Sequence, residues 1–533
     1  MAESQGERFD YVIVGGGSAG CVLASRLSEN PAATVCLIEA GGPGDHWTIN
    51  VPAGIMALLK DPQRNWLYET TPQSQLDNRQ MFWPRGKALG GSSAINAMVY
   101  IRGHAADYDR WAQAENCPGW DWESVLPWFL KAENNERLDG PLHGRGGPLN
   151  VADPRSPNRL STLFVEAAEQ CQHPANDDFN GARQDGAGLY QLTQKDGNRC
   201  SAWHAYLAGI SRPNLKVMTG TQACRVLFEG ARAVGVECDR DGTRVQVACR
   251  GEVLLCGGAV NSPQLLQLSG IGDGERLARL GIQVRHDNAS VGGNLQDHLD
   301  VSIVQHTPTR LGFGFTLKGL GMVFGALRDY RRGRRGLLTS NFAEAGVFAR
   351  STPDEPVPDL QYHFLPVMSD DHGRKRIYSH GVTLHCCDLR PLSRGRIDIS
   401  SPDPLMPPRI DPNYLSDPRD MQKLKQGVAI GRHILSAPAL QPHMGEEHYP
   451  GAAIQDDAAL ETFIRSKAET IYHPVGTCRM GSDADAVVDT EFRVRGAEGL
   501  RVVDASTMPS LIGGNTNAPV IMMAERAAAM ILG

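Results

Sequence analysis

No two of the twelve cysteines in this 533-residue chain are spaced as Cys-x-x-Cys. Several fall inside apolar, strand-like runs such as TVCLIEAG and EVLLCGG. That placement fits reduced, buried thiols and argues against a disulfide framework or a cysteine zinc site. The chain also lacks any run of about 18 apolar residues that could span a bilayer. Its opening, MAESQGERFD, has neither a basic n-region nor an apolar h-region. No secretory leader is therefore expected, and the cytoplasm is the expected compartment. Positive charge is not in excess: 53 Lys and Arg against 60 Asp and Glu leave a formal net charge of -7. A general pull towards nucleic acid is thereby excluded. What remains, 41% hydrophobic and 21% charged, is an ordinary globular composition, long enough for more than one domain.

The organisation begins with a strand, a turn, a helix and a second strand. FDYVIV (9–14) is a β-branched apolar run, GGGSAG (15–20) the turn, and CVLASRLSEN has helical spacing. TVCLIEAG (34–41) is a strand that ends in an acid. NLKVMTG (214–220), CRVLFEG (224–230), AVGVECDRDG (233–242) and GEVLLCGGA (251–259) read as strands of a ribbon returning to that first sheet. GLRVVDAS (499–506) is a last strand before a final helix, PVIMMAERAAAMIL (519–532). The expected fold class is α/β, α+β overall. A nucleotide-binding domain over 9–300 carries inserted segments at roughly 42–84 and 104–213, 301–480 forms a substrate domain, and 481–533 returns to the first.

Gly15-x-Gly17-x-x-Gly20 lies between strand and helix, and Glu39 closes the next strand. The glycines let backbone approach a pyrophosphate at the helix N-terminus, where Ser18 and Ala19 begin the first turn. Glu39, followed by Ala40, is placed to accept hydrogen bonds from a ribose. These residues leave FAD and NAD both open and disfavour NADP. A second glycine cluster, PRGKALGGSSAINAMVYIRG (84–103), offers N–H groups and hydroxyls of Gly90, Gly91, Ser92 and Ser93 to a phosphate or flavin edge, with Arg85 a further cofactor-binding candidate. A third, GGAVNSPQLLQLSGIG (257–272), starts a helix at Asn261-Ser262-Pro263.

The second and third clusters resemble the paired signature motifs of the glucose–methanol–choline (GMC) oxidoreductases. YHPVGTCRMG (472–481) and GLRVVDASTMPSLIGGNTNAPVIMMAERAA resemble that family's C-terminal block, and the motifs run in family order from Phe9 to Ile531. The resemblance implies FAD as cofactor, a Rossmann-like FAD-binding domain, and an inserted substrate domain built on an antiparallel sheet flanked by helices. It implies that His473 is the acid/base and Asn517 its oxygen-holding partner, with Asn517 also near the flavin. Asp504 and Ala505 match a segment on the flavin phosphates or ribityl chain, Val226 a residue whose backbone meets adenine, and Asn96, with Ala97 after it, a residue near flavin N5. Covalent members carry a histidine where this chain has Ile95, so the FAD is expected to be non-covalent.

On the substrate side, Glu344 matches a carboxylate that faces ammonium in choline-oxidising members, His363 a second substrate histidine, and Tyr472 a pocket wall. His372, His380, His385, Cys386 and Cys387 match no standard metal spacing, so no metal is expected. The expected reaction is oxidation of a neutral primary alcohol to the aldehyde, with oxygen or quinone as acceptor. Choline, an aryl or furanic alcohol, and a lyase or decarboxylase reaction on the same fold are the alternatives. The oligomeric state is left open. Leu320, Val323, Phe324 and Leu327 lie at helical spacing before Arg328, Arg331, Arg332, Arg334 and Arg335, which suggests peripheral contact with the inner face of a membrane.

Overall fold

The computed structural model describes residues 7–309, 311–314, 319–375 and 377–533, with backbone alone for 319–324. The side chains of Leu320, Val323 and Phe324 therefore lie outside the described residues. The strand Arg8–Val14 pairs in parallel with Val35–Ile38 on one side and Thr243–Leu255 on the other. Leu500–Val502 adds in parallel to Thr243–Leu255. Arg232–Arg240 and Gln222–Glu229 extend this seven-stranded sheet as an antiparallel ribbon. Asp241 and Gly242, at φ 53° and 79°, make the tight turn that ribbon needs. One expected element is placed differently. Leu215–Met218 is not part of the ribbon but the opposite edge, parallel to Val35–Ile38. It has no hairpin partner, and its crossover from the earlier helices leaves only parallel pairing open to it.

The helix Ser18–Leu27 packs against the terminal helix Asn517–Leu532. Arg26 grips the fully buried Glu525 with Nε and Nη2, at 2.9 and 2.7 Å, and Tyr206 donates to the same carboxylate at 2.9 Å. This clamp sets the N-terminus of the last helix opposite the glycine turn.

A second seven-stranded sheet runs in the order Glu447–Tyr449, Leu299–His306, Gly381–Asp388, Leu360–Leu365, Ala345–Ala349, Gly186–Leu189, with Glu469–Thr470 also on Leu299–His306. Every pairing in it is antiparallel. One face takes the helix Pro418–Leu435 over Val301, Ile303, Tyr362, Leu384 and Cys386. Gly427 is needed there, since a Cβ would stand 2.0 Å from Cys386 Sγ. Because strand side chains alternate, Asp300, Ser302, His363, His385 and Cys387 share the other face, with His363 directly opposite His385.

Candidate active site

A cavity of about 410 Å³ runs between the two sheets. Of the residues expected at the site, all line it except Gly20, Gly90, Val226 and Glu344. Gly20 stands behind the wall, where a Cβ would meet Gly15 O at 1.9 Å, so it permits the helix to close on the turn. Gly90 braces the same turn by donating to Gly16 O at 2.7 Å. Val226 is a correction: its N–H is spent on Ser269 Oγ at 2.8 Å, and Ala223, three residues earlier, reaches the cavity instead.

Glu344 is a second correction. Its carboxylate accepts from Asn158 N at 2.6 Å, Ser161 Oγ at 2.8 Å and Ser340 Oγ at 2.6 Å. It is 1% exposed and anchors the start of the helix Arg159–Gln170, turned away from the cavity. The three donors and the positive helix end hold it there.

The nucleotide side is built from backbone. Glu39 accepts from Gly16 N at 2.8 Å and Gly41 N at 2.7 Å, and burial still pushes its carboxyl up to about 7. Asp504 ties Gly258 N and Ser262 Oγ, at 2.8 and 2.6 Å, to its own turn at Ser506. Ser18 Oγ donates to Asn517 Oδ1 at 2.7 Å, joining the first turns of the two facing helices. Asn96 Oδ1 accepts from Met98 N at 3.0 Å and from Arg199 Nη1 at 2.8 Å, which leaves its amide N–H groups for the cavity. Arg199 is fully buried, and burial depresses its guanidinium to about 9.

His473 stands at the far end, aimed by a strained turn. Tyr472 has φ 69°, a left-handed conformation rare for a bulky side chain. Three groups hold it: Arg85 Nη2 donates to Tyr472 O at 2.6 Å, Tyr472 N donates to Thr470 Oγ1 at 2.8 Å, and His473 N donates to Asp297 Oδ1 at 2.7 Å. Tyr414 OH and Thr470 Oγ1 donate to the other oxygen of Asp297.

The imidazole's protonation follows from its neighbours. His298 Nε2 lies 3.1 Å from Leu389 O, which can only accept, so His298 carries its proton on Nε2. Its bare Nδ1 is 2.9 Å from His473 Nδ1, which must therefore be the donor. His473 Nε2 is left as a lone pair facing the cavity, 3.3 Å from Asn515 Nδ2. Burial, then the neighbouring His298, His363 and Arg85, hold His473 well below the usual imidazole range. Asn515, not Asn517, is thus the amide beside the base. It lies two residues earlier in the same NTN run, close enough in sequence for the two to be exchanged. His363 also faces the cavity, its Nδ1 without a partner and its ring pushed down by burial to about 3.

Residues 9–300 and 391–524 match the N- and C-terminal halves described as GMC oxidoreductase. The chain is 50% identical over 532 residues to an alcohol dehydrogenase (acceptor) of Pseudomonas putida, covering 98% of this chain and 96% of that one. It is 45% identical to the mitochondrial choline dehydrogenase of Homo sapiens, covering 100% and 91%. The crystal structure of pyridoxine 4-oxidase from Mesorbium loti superposes with a TM-score of 0.89 at 31% identity, covering 98% and 99%. The chain belongs to the GMC oxidoreductase family. It is an FAD-dependent oxidoreductase acting on CH–OH groups.

The residues on the nucleotide side fit that cofactor. Two helix N-termini, at Ser18 and Asn517, open onto the cavity and favour anionic groups. Gly15, at φ 104°, keeps the turn open where a Cβ would lie 2.5 Å from Cys256 O. Glu39 lines the same cavity beside the glycine turn, and Ile95 offers no atom for a covalent link. Asp300, His372 and His385 gather donor atoms within 4.8 Å beside the cavity. His385 Nδ1 is in close contact with one oxygen of Asp300, while the other oxygen and His372 Nε2 have no hydrogen-bond partner.

Proposed function

We propose that this chain oxidises a neutral primary alcohol to the aldehyde, with His473 receiving the hydroxyl proton at Nε2 and Asn515 holding the alcohol oxygen. The observation that carries this reading is the proton arrangement His298 Nδ1 to His473 Nδ1, 2.9 Å, which leaves Nε2 basic and aimed into the cavity. Bound FAD supplies the hydride acceptor. The chain's own residues do the rest. A neutral imidazole begins as the acceptor, and the imidazolium it becomes, in a buried site, readily gives the proton up again. Asn515 Nδ2 donates to the oxygen as negative charge develops on it. Ile55, Leu365 and Ile471 make an apolar wall for the carbon chain and keep water from the reacting atoms.

The names of the relatives support the alcohol, with choline as the runner-up. The base and its amide favour oxidation over a lyase or decarboxylase reaction. The block 301–480 serves as the substrate-binding part, and oxygen or a quinone takes the electrons. Membrane contact near the helix Gly319–Gly333 is part of the same proposal. Leu327 is 37% exposed, and Arg328, Arg331, Arg332, Arg334 and Arg335 are exposed beside it. Among the described residues no helix is long and apolar enough to cross a membrane. Flotation with anionic liposomes tests the contact, and protein left wholly in the unbound fraction rejects it. The reaction is tested by anaerobic mixing of the yellow holoenzyme with a series of primary alcohols. Bleaching of the flavin by a neutral alcohol is expected, and a flavin that no alcohol bleaches overturns the reading.

A further inference from the structure

Beyond His473 the cavity ends on a group of side chains that the proton transfer does not use. His363, His372 and His385 line this end, and Asp300 lies behind them, fully buried. His385 Nδ1 is in close contact with one carboxylate oxygen and 3.0 Å from Ser302 Oγ. The other oxygen, Asp300 Oδ1, faces His372 Nε2 at 3.6 Å, and neither atom has a hydrogen-bond partner. The ring of His372 is in turn set edge-on against Tyr472, 5.0 Å between centroids, and against His385 at 4.9 Å. His372 sits in left-handed backbone, φ 49° and ψ 34°, a region uncommon for non-glycine residues but one in which histidine is enriched.

We propose that His372 and His385 screen the Asp300 carboxylate from the substrate, so that this end of the cavity accepts a neutral group and turns away a quaternary ammonium. The inference rests on the alcohol-oxidising reading above and names the substrate class within it. A carboxylate whose charge is already held offers a cation no net attraction to offset the loss of its hydration. The imidazoles stand between the two, and a charged imidazolium repels the cation outright. Burial opposes the charged form of His372, but the neighbouring Asp300 carboxylate outweighs it and the ring is held above its ordinary value. With His372 removed, the Asp300 oxygen that lacks a hydrogen-bond partner is opened to the cavity, and a cationic substrate becomes its natural counter-ion.

Choline and its uncharged isostere, 3,3-dimethylbutan-1-ol, test this in the FAD-loaded enzyme. His372→Asn keeps a residue that tolerates left-handed backbone. Two quantities are measured: kcat/KM for anaerobic flavin reduction by each alcohol, and tetramethylammonium binding by perturbation of the flavin spectrum. The wild-type enzyme is expected to favour the isostere by ~100-fold, and His372→Asn to cut that ratio ~10-fold by improving choline. His372→Asn/Asp300→Asn should restore the original preference, because the carboxylate is the attracting group. A wild-type preference for choline, or an unchanged ratio in a variant that keeps its FAD and melting temperature, overturns the proposal. Should His372→Asn fail to hold FAD, His385→Asn carries the same expectation. If neither alcohol reduces the flavin, the reaction assignment falls. The tetramethylammonium arm still decides this proposal, with weak binding to wild type and tighter binding to His372→Asn in its favour and equal binding against it.

Discussion

The two walls of the cavity are made of different material. On the nucleotide side the working groups are backbone: the glycine turn at 15–20, the first turns of two helices, and carboxylates at Glu39 and Asp504 whose oxygens are taken up by nearby N–H and hydroxyl groups. On the substrate side they are imidazoles and amides brought from segments far apart in the chain: His298, His363, His385, His473 and Asn515. A backbone wall tolerates side-chain change except where a Cβ intrudes. A side-chain wall changes its chemistry with each substitution.

Breaking the side-chain wall at its centre should give the largest effect. His473→Ala is expected to retain FAD and lose about 10³-fold in the rate of anaerobic flavin reduction by alcohol. Stopped-flow single turnover measures this, and an unchanged rate would remove His473 from the reaction. Asn515→Ala should lose about 10²-fold in the same assay, as when one donor to a developing oxyanion is removed. Asn517→Ala is expected to differ in kind. Its carbonyl oxygen is bonded to Ser18, so its loss should weaken FAD retention more than it slows the proton transfer. Comparing the two variants separates the walls directly.

The next effect acts through His473 without touching the substrate. His298→Leu removes the acceptor that fixes the proton on His473 Nδ1, and with it the tautomer that leaves Nε2 bare. A 10- to 100-fold fall in kcat with little change in KM is expected, about 1.4–2.7 kcal/mol in the barrier. The pH profile distinguishes this from a loss of packing. His473 must be neutral to accept a proton and its pKa is depressed, so the wild-type rate should be lost only as pH falls well below 6.5. His298 is one of the groups holding that value down, so the acid limb in the variant should move to higher pH. A profile that stays put while the rate falls would assign His298 a structural role alone. His298→Gln, whose carbonyl can accept from Nδ1–H, should recover part of the rate.

How far the sequence reveals each wall follows from the same difference. Backbone sites need glycines, a helix start and an acid in fixed order, and that order is written contiguously at 15–20 and 39. The edge position of Leu215–Met218 was not legible, because four apolar residues do not say which strand they will pair with. The side-chain wall is less readable. NLQDHLD, 294–300, contains Asp297, His298 and Asp300, yet five polar residues in seven carry no periodicity that separates a clamp, a tautomer lock and a masked charge. Their roles appear only when strand register sets them against His473 and His385. NTN offers two amides, and only the direction of entry into the last helix shows that Asn515 meets the base. Glu344 was misplaced for a related reason. Its resemblance to a family carboxylate set it against the substrate, and nothing local in the sequence marks that the helix start at Asn158, nearly two hundred residues away, occupies it.

That last residue gives the smallest expected effect and a clean limit on the comparison. Glu344→Gln keeps the shape but replaces one accepting oxygen with an amide that faces donors at Ser161 and Asn158, or else at Ser340. The loss of one charge-assisted bond at a helix start should lower unfolding stability by about 1–2 kcal/mol, read from denaturant midpoints of the holoenzyme. The ratio of choline to neutral-alcohol turnover should not move, since the carboxylate is buried behind the wall and holds the helix, not the substrate. A shift in that ratio as large as the one expected at His372 would mean that the charge at Glu344 is felt in the cavity after all. The side-chain wall would then extend one layer deeper than its lining.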